Sequence, residues 1–308
     1  MSAARVPASN GTSVSTFARR SAGHLLRLDP EVFRAGFNRK PFIISHDLAD
    51  NPLFTLPRLI DLSKRLPSGH VKYNAGAIPI DTTLYKGPRT GLSVEETIRR
   101  IEECRSWMVL KWVHEDGDYR AVSNRCLDEV QALSEPLDPG MCKREAFIFV
   151  TSPSSTTPYH LDPEYSFLLQ IKGRKSVYIL DGSTLSEKEM ERYYGAGIDP
   201  VFTEACREKA IRFDLEPGLG LHFPVTVPHW VENHDEYSIS FSITFRTAAS
   251  ERRSVVYDVN DSLRKLGFAP TPYGRSASRD SAKFHAFRAA RRVRKVLGLA
   301  ASRNLQEL

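Results

Sequence analysis

The sequence predicts a mainly β fold with flanking α-helices, and three features of the pattern predict it. From Glu145 onwards, short apolar strands follow one another with turn residues between them, which indicates a β-barrel or sandwich rather than a parallel α/β sheet. Helical periodicity precedes this region and returns after it. At 308 residues, 41% hydrophobic and 26% charged, the composition is that of a globular protein with one substantial core.

The N-terminal half predicts helices alternating with strands. Asp29 and Pro30 begin a short helix, because aspartate is a good N-cap and proline suits the first helical position. Thr55 is expected to cap a second helix. Ser93 opens a third with the Ser-x-x-Glu capping box. The remaining elements are strands over Phe42–Ser45 and Trp107–Val113 and an amphipathic helix over Tyr119–Leu133.

The C-terminal half predicts the strands and then more helix. The strand segments are AFIFVTS, YSFLLQI, SVYIL, AIRFDL, LGLHF and YSISFSITF, and a helical insertion, LSEKEMERYYG, interrupts them. The helix VVYDVNDSLRKLG follows, with Gly267 as its expected C-cap. A connector rich in proline and glycine leads to a last helix, SAKFHAFRAARRVRKVLG.

A His-x-Asp motif at His160 and Asp162 carries the strongest chemical signal. Residues two apart on an extended strand point to the same face. Among the other histidines, His229 is the best third ligand, because His222 lies inside a strand pattern and His234 lies in a polar loop where we expect it to be solvated. Two imidazoles and one carboxylate form the facial triad that suits Fe(II) and leaves positions open for a co-substrate and oxygen.

The last strand alternates aromatic or aliphatic residues with hydroxyls. One face holds Tyr237 and every second residue to Phe245, and the other holds three serines and Thr244. The hydroxyl face either meets water on a surface sheet or lines a polar cavity inside a barrel. We favour the cavity, because this strand follows His229 closely.

From Glu145 to Thr247 the chain resembles the JmjC-type cupins, closest to the branch of the asparaginyl hydroxylase that acts on hypoxia-inducible factor. The segments that carry the resemblance are TPYHLDPEYSFLLQIKGRK, EPGLGLHFPVTVPHWVEN and ISFSITF. The resemblance implies a double-stranded β-helix, the cupin or jelly-roll barrel, and an Fe(II)- and 2-oxoglutarate-dependent dioxygenase. Such an enzyme hydroxylates a C–H bond and releases succinate and carbon dioxide.

The resemblance also implies residue roles. His160, Asp162 and His229 match the iron ligands, and Lys175 and Thr157 match the residues that bind the distal carboxylate of 2-oxoglutarate. From the residues alone, the favoured interpretation is that Lys172, Arg174 and Lys175 are all solvated cations of one turn.

The match has two departures. Ser166 and Thr244 stand where the family has asparagines beside 2-oxoglutarate, so they are expected to contact the co-substrate as smaller polar groups. Arg246 replaces a substrate-contacting tryptophan, which puts the family's peptide preference in doubt. The substrate that is hydroxylated, called the prime substrate below, therefore stays open between a protein side chain, a modified nucleoside and a small metabolite.

Two rival functions remain beside the oxygenase. One is a non-catalytic cupin-like module that binds metal or regulates a partner. The other is a cupin that uses manganese or zinc for isomerisation or hydrolysis, since the three ligands alone do not select iron. An intact triad together with Lys175 and Thr157 favours catalysis, because a degenerate module has no need of all five.

The charge distribution predicts three segments. Residues 1–15 are small and polar and form an expected disordered tail, residues 16–250 form the catalytic domain, and residues 251–308 form a basic helical segment. From Arg246 to Leu308 there are 14 Lys and Arg against 5 Asp and Glu, out of a net charge of +6. We favour packing of its apolar stripe against the barrel or against a second subunit as a dimerisation element. Its charge also fits nucleic acid or an anionic membrane.

The cysteines and the hydropathy of the sequence indicate the cellular location of the protein. The four cysteines are scattered and form no CxxC pair, which favours a reducing cytoplasm. No apolar run is long enough to cross a bilayer, and no secretory signal is evident.

Overall fold

The computed structural model describes residues 23–83, 85 and 87–296. The predicted tail, residues 1–15, and the end of the predicted last helix, residues 297 and 298, lie outside the described residues. The chain divides into two compact units, of which the first comprises residues 23–181 with Phe202–Arg246 and the second comprises Gly182–Val201 with residues 247–296.

Strands dominate the first unit, and helices form the second. The strands are β1 (Leu26–Arg27), β2 (Phe42–His46), β3 (Val71–Ala75), β4 (Ser106–Leu110), β5 (Cys142–Thr151), β6 (Thr156–His160), β7 (Tyr165–Lys172), β8 (Lys175–Ile179), β9 (Ile211–Leu215), β10 (Leu219–Phe223), β11 (His229–Asn233) and β12 (Ser238–Arg246). The helices are α1 (Pro30–Gly36), α2 (Leu56–Arg65), α3 (Val94–Arg99), α4 (Gly117–Ser134), α5 (Glu187–Ala196), α6 (Glu204–Lys209), α7 (Ala248–Lys265) and α8 (Ala277–Val296).

The strands of the first unit pair antiparallel in two sheets. The larger sheet has the order β1-β2-β10-β7-β12-β5-β4-β3, and the smaller has the order β6-β11-β8-β9. An apolar cluster joins the two sheets, in which Leu168 and Leu221 of the larger sheet meet Val177, Ile179 and Val231 of the smaller. The predicted fold class, mainly β with flanking helices, is confirmed.

The outer face of the larger sheet packs against helices. Phe241 and Phe245 of β12 share one core cluster with Phe33 of α1, Leu59 of α2 and Leu127 of α4. Because side chains alternate along β12, its hydroxyls point the other way, towards the space between the sheets. Those hydroxyl residues are all buried, so they do not meet water: Ser238, Ser240, Ser242 and Thr244.

The structure refines several predicted element ends. The strand expected over Trp107–Val113 ends at Leu110, because Trp112 adopts a left-handed conformation with φ of 54° and begins a short 3-10 turn. Thr55 precedes α2 but its side chain makes no capping hydrogen bond. The capping box at Ser93 is present with both of its hydrogen bonds. The helix α7 has Leu266 as its C-cap, and Gly267 follows with φ of 87°.

The second unit is held together by a buried ion pair and a close helix crossing. Glu191 of α5 is completely buried and pairs with the guanidinium of Arg264 of α7, whose Nη2 donates at 3.2 Å. A side chain at Gly195 would collide with the carboxylate of Asp261, so glycine lets α5 and α7 approach. Among all described helices, none is long and apolar enough to span a membrane.

Candidate metal centre

The structure brings the three predicted ligands together at one end of the space between the sheets. His160 is the last residue of β6, and His229 is the first residue of β11 and its direct partner across the strand pair. Asp162 lies in the turn after β6. Histidine, cysteine, aspartate and glutamate are the side chains considered as metal ligands. Among the described residues, these three are the one group of such side chains whose ligand atoms all lie within 4.8 Å of one another.

The geometry directs all three side chains at one point. Nε2 of His160 lies 3.8 Å from Oδ1 of Asp162, and Nε2 of His229 lies 3.6 Å from Oδ2 of the same carboxylate. The two imidazole centroids are 4.2 Å apart. His160 ends β6 and Asp162 lies two residues later, just outside the strand, and the two side chains point to the same place, as their spacing predicted.

Backbone carbonyls orient both imidazoles. Nδ1 of His160 donates to the carbonyl of Pro158 at 2.7 Å, and Nδ1 of His229 donates to the carbonyl of Val227 at 3.0 Å. A carbonyl can only accept, so each Nδ1 carries the proton and each Nε2 presents a lone pair towards Asp162. This is the usual outer contact of a metal-binding histidine, since it selects the tautomer and the ring orientation.

The environment keeps His229 neutral. Burial lowers its pKa to about 4, and the nearby imidazole of His160 acts in the same direction. A metal ligand must be unprotonated to offer its lone pair. The neutral imidazole of His229, the imidazole of His160 and the partly exposed carboxylate of Asp162 together fit a divalent transition metal such as Fe(II).

Lys175 is placed inside the same space. It begins β8, and Val177 and Ile179, two and four residues later, belong to the cluster between the sheets, so Lys175 points inwards with them. It is 3% exposed, and burial lowers the pKa of its ammonium from 10.5 to about 7. Among the described residues, no side chain pairs with it. The alternative of a solvated turn cation is wrong.

A buried ammonium without a partner is costly, and an anion that entered the space would compensate it. Ile179 is the strand partner of His229, so Lys175 lies four residues, roughly 13 Å of strand, from the level of the triad. A dicarboxylate placed between Lys175 and a metal at the triad fits this separation.

Thr157 lies on β6, three residues before His160. The indole Nε1 of Trp107 donates to its hydroxyl oxygen at 2.9 Å. The hydroxyl's own hydrogen remains available for an acceptor. Trp107 is 2% exposed, so a buried residue positions this threonine.

Ser166 and Thr244 face each other across β7 and β12. The hydroxyl of Ser166 lies 3.2 Å from that of Ser242. The hydroxyl of Thr244 is buried and has no hydrogen-bond partner among the described residues. An orphaned buried hydroxyl and an unpaired buried ammonium in one interior are the features that a polar co-substrate would satisfy.

Charged groups that the sequence did not reveal lie beside the triad. Arg246 ends β12 and pairs with the carboxylate of Glu164, two residues after Asp162; its Nε donates at 3.2 Å. Burial raises the pKa of Glu164 to about 7. Lys111 is 4% exposed, and its ammonium lies 4.8 Å from the ring centroid of Trp112. The contact of Arg246 with Glu164 joins residues 82 positions apart, so no local pattern signals it.

The other histidines and the last tryptophan fall outside the site. His222 is completely buried among the rings of Phe37 and Phe167, as a structural residue. His234 is half-buried and hydrogen-bonded to Ser176 at 2.9 Å, so the expectation that it is solvated was wrong. Trp230 is buried on the face of β11 opposite His229, stacked on Tyr178, and does not wall the triad.

Comparison with known proteins identifies the class. The family model of the JmjC domain matches residues 128–252, which include all three residues of the triad. A solved structure of Escherichia coli YcfD superposes with a TM-score of 0.52 at 18% identity, over 86% of this chain and 68% of that chain. A second structure is described as YcfD, a ribosomal oxygenase from Escherichia coli, in complex with cobalt and 2-oxoglutarate. It superposes with a TM-score of 0.47 at 16% identity, over 87% of this chain and 67% of that chain. No curated protein sequence matches this chain.

Residues 128–252 form a JmjC domain, and the prediction of a JmjC-type cupin is confirmed. The chain is an oxygenase of the class that uses Fe(II) and 2-oxoglutarate. The closer resemblance to the asparaginyl hydroxylase branch stays a prediction.

Proposed function

We propose that this oxygenase is a hydroxylase whose iron is held by His160, Asp162 and His229. The observation that carries the assignment is the convergence of two carbonyl-oriented imidazoles and one carboxylate within 4.8 Å. The JmjC class supports iron over zinc or manganese for the same three ligands.

The remaining site residues are proposed to receive 2-oxoglutarate. Lys175 holds the distal carboxylate with a charge-assisted hydrogen bond, and the hydroxyl of Thr157 donates to the same group. Ser166 and Thr244 offer hydroxyls from the facing sheet. The apolar cluster around Val177 and Leu168 keeps water from the interior, which strengthens each of these contacts.

When bound, Fe(II) supplies the oxidative chemistry, in which 2-oxoglutarate and oxygen give succinate, carbon dioxide and a hydroxylated product. The residues of the chain position the reactants. The carbonyls of Pro158 and Val227 keep Nδ1 of each histidine protonated, so that Nε2 stays the ligand atom. Burial lowers the pKa of Lys175 to about 7, and an anion beside the ammonium favours its charged form, which couples co-substrate binding to its protonation.

Turnover of 2-oxoglutarate without a prime substrate tests the function. With Fe(II), ascorbate and oxygen, the protein should form succinate, and Asp162→Ala should reduce the rate to background because the carboxylate ligand is lost. Asp235→Ala is the matched control, since that carboxylate is 87% exposed on the surface. Full turnover by Asp162→Ala would contradict the assignment of the iron ligands.

A non-catalytic cupin-like module is the alternative function. It is less consistent with the unpaired Lys175 ammonium, because a module without a co-substrate has no use for a buried charge that destabilises its fold. Such a module predicts no succinate under any condition, including with candidate substrates present.

We propose a chemical class for the prime substrate, a cellular location for the enzyme and a role for each of its two segments. The charged groups Lys111, Glu164 and Arg246 beside the triad support a polar substrate, a protein side chain or a small molecule, over an apolar one. The absence of paired cysteines supports a cytoplasmic location. We assign catalysis to residues 16–250 and association to residues 251–308.

The helix α8 supports association with a partner. Phe284 and Phe287 are half-buried, whereas Ala290 and Val293 on the same stripe are exposed. The helix carries 7 Lys and Arg against 1 Asp. A homodimer would cover the apolar stripe, and a nucleic acid would neutralise the bases.

Two double variants of α8 separate these partners. Phe287→Glu with Val293→Glu should convert a dimer into a monomer in analytical ultracentrifugation, because it places charges on the apolar stripe. Arg291→Glu with Arg292→Glu should leave the dimer intact. If the helix binds RNA instead, the arginine variant loses binding that is steeply weakened by salt, and the mass of the wild-type protein is that of a monomer.

A further inference from the structure

The carboxylate of Asp162 is the least constrained of the three proposed iron ligands. Its side chain is 37% exposed, against 8% for His160 and 4% for His229. Within the described part of the chain, its carboxylate oxygens lie within 4 Å of the two imidazoles and accept no hydrogen bond that would set their orientation. The direction of this ligand therefore depends on the backbone of the turn between β6 and β7.

One end of that turn is fixed by the backbone. The amide of Thr226 donates to the carbonyl of Asp162 at 2.9 Å, and Leu161 is buried. The next residue is Pro163, whose ring fixes its own φ and restricts Asp162 to extended conformations. Because these dihedral angles are restricted, the segment between the two residues is short and stiff. A displacement of Glu164 would therefore also displace Asp162.

The other end of the turn is fixed by a buried ion pair. Arg246 of β12 reaches Oε1 of Glu164 with two nitrogens, Nε at 3.2 Å and Nη2 in a closer contact. The guanidinium is 7% exposed and the carboxylate 16% exposed. β12 and β7 are paired as far as Phe245 and Tyr165, so the ion pair continues the strand pairing by one more step.

We propose that the Arg246–Glu164 ion pair is a positioning device that holds the Asp162 carboxylate in place for divalent metal binding. The inference rests on the proposed function of the triad. Arg246 and Glu164 act through the turn and are not themselves metal ligands. Their loss should weaken metal affinity by an amount that loss of fold stability does not explain.

Binding of Co(II), followed by its visible absorption, tests the inference with single and double variants. Arg246→Met and Glu164→Gln should each weaken Co(II) binding about 10- to 100-fold, as the removal of groups that orient metal ligands does. Arg246→Lys should recover part of the affinity, because its ammonium reaches the same carboxylate. Arg264→Met removes a comparable buried ion pair, with Glu191, and should leave Co(II) affinity unchanged while it lowers the melting temperature.

The double variant Arg246→Met/Glu164→Gln separates positioning from stability. A single variant removes one partner of the buried ion pair and keeps the other, whereas the double variant removes both, so its melting temperature without metal should partly recover. Under our inference Co(II) affinity stays low in the double variant. Affinity that recovers together with the melting temperature, or a folded Arg246→Met with wild-type affinity, would overturn it.

Failure of the proposed function has a different signature. In that case the wild-type protein binds no Co(II), or Asp162→Ala binds it as tightly as the wild type does. If Co(II) binding depends on Asp162 but not on Arg246, only the positioning inference fails.

Discussion

Replacing Lys175 with methionine should make the metal-free protein more stable and at the same time remove 2-oxoglutarate binding. The ammonium is 3% exposed and burial lowers its pKa from 10.5 to about 7. In the folded state without co-substrate, the charged form is therefore disfavoured. Methionine has a similar length and carries no charge, so the fold loses the penalty and keeps most of the packing.

The size of the effect follows from proton linkage. Each unit of pKa difference corresponds to about 1.4 kcal/mol, so the cost of Lys175 to the folded state at pH 7 is on the order of 4 kcal/mol. For a domain of this size, one kcal/mol moves the melting temperature by about 2–4 °C. Allowing for imperfect packing, the melting temperature of Lys175→Met should rise by about 5 °C or more at pH 7, measured by calorimetry without metal.

The pH dependence has a definite sign. The folded-state pKa of Lys175 is lower than its unfolded value, so between pH 7 and 10.5 the unfolded chain binds more protons than the folded one. The stability of the wild-type protein therefore gains from rising pH in this window, and the penalty is complete below pH 7. In Lys175→Met this contribution disappears, so the advantage of the variant is largest at pH 7 or below.

Co-substrate binding shows the opposite trend, because 2-oxoglutarate needs the ammonium form. Affinity should fall about tenfold per pH unit above 7, on the order of twentyfold between pH 6.5 and 8.5. Lys175→Arg stays charged and should remove this dependence. Lys172→Met changes an exposed lysine three residues earlier and is the control for both measurements. A Lys175→Met protein that is less stable and still binds 2-oxoglutarate would show that the lysine is structural.

Sequence patterns predicted those parts of the fold in which neighbouring residues carry the information. The two-residue alternation in β12 predicted both its apolar face and its buried hydroxyl face. The capping box at Ser93 predicted the start of α3, and Asp29 followed by proline predicted the start of α1. The structure contains both helix starts. In these elements the local preference and the tertiary environment agree.

Elements without such a local signal were missed. β3 (VKYNA) is mostly half-buried and polar, and β11 begins at a Pro-His junction, so neither shows clean alternation. Trp112 continues an apolar run in the sequence, but it leaves β4 in a left-handed conformation that no residue pattern announces. These choices depend on the packing of distant segments.

The candidate site divides in the same way. The spacing of His160 and Asp162 and the family resemblance pointed to the triad. No such pattern pointed to the ion pair of Arg246 with Glu164 or to the contact of Trp107 with Thr157, because these join residues 82 and 50 positions apart. Pro163 was a local signal that β6 does not continue, since a proline has no N–H to donate to a strand partner.

Replacing His229 with alanine should weaken Co(II) or Fe(II) binding by more than about a hundredfold. The residue offers Nε2 to the point where His160 and Asp162 converge, and loss of a ligand should exceed the 10- to 100-fold effect of losing a group that merely orients one. The measurement is titration calorimetry with Co(II), at a pH where free imidazole is largely neutral.

His222→Ala is the matched comparison, because His222 is equally buried and belongs to the neighbouring sheet but lies among phenylalanine rings outside the triad. Its loss creates a cavity and should lower the free energy of unfolding by about 2–5 kcal/mol, as a core truncation does, while the folded protein still binds metal. His229→Ala should show the reverse pattern, with metal affinity lost and the melting temperature of the metal-free protein changed less. If both variants lose metal in proportion to their loss of stability, metal binding reports the integrity of the fold, and the three side chains are not the ligands.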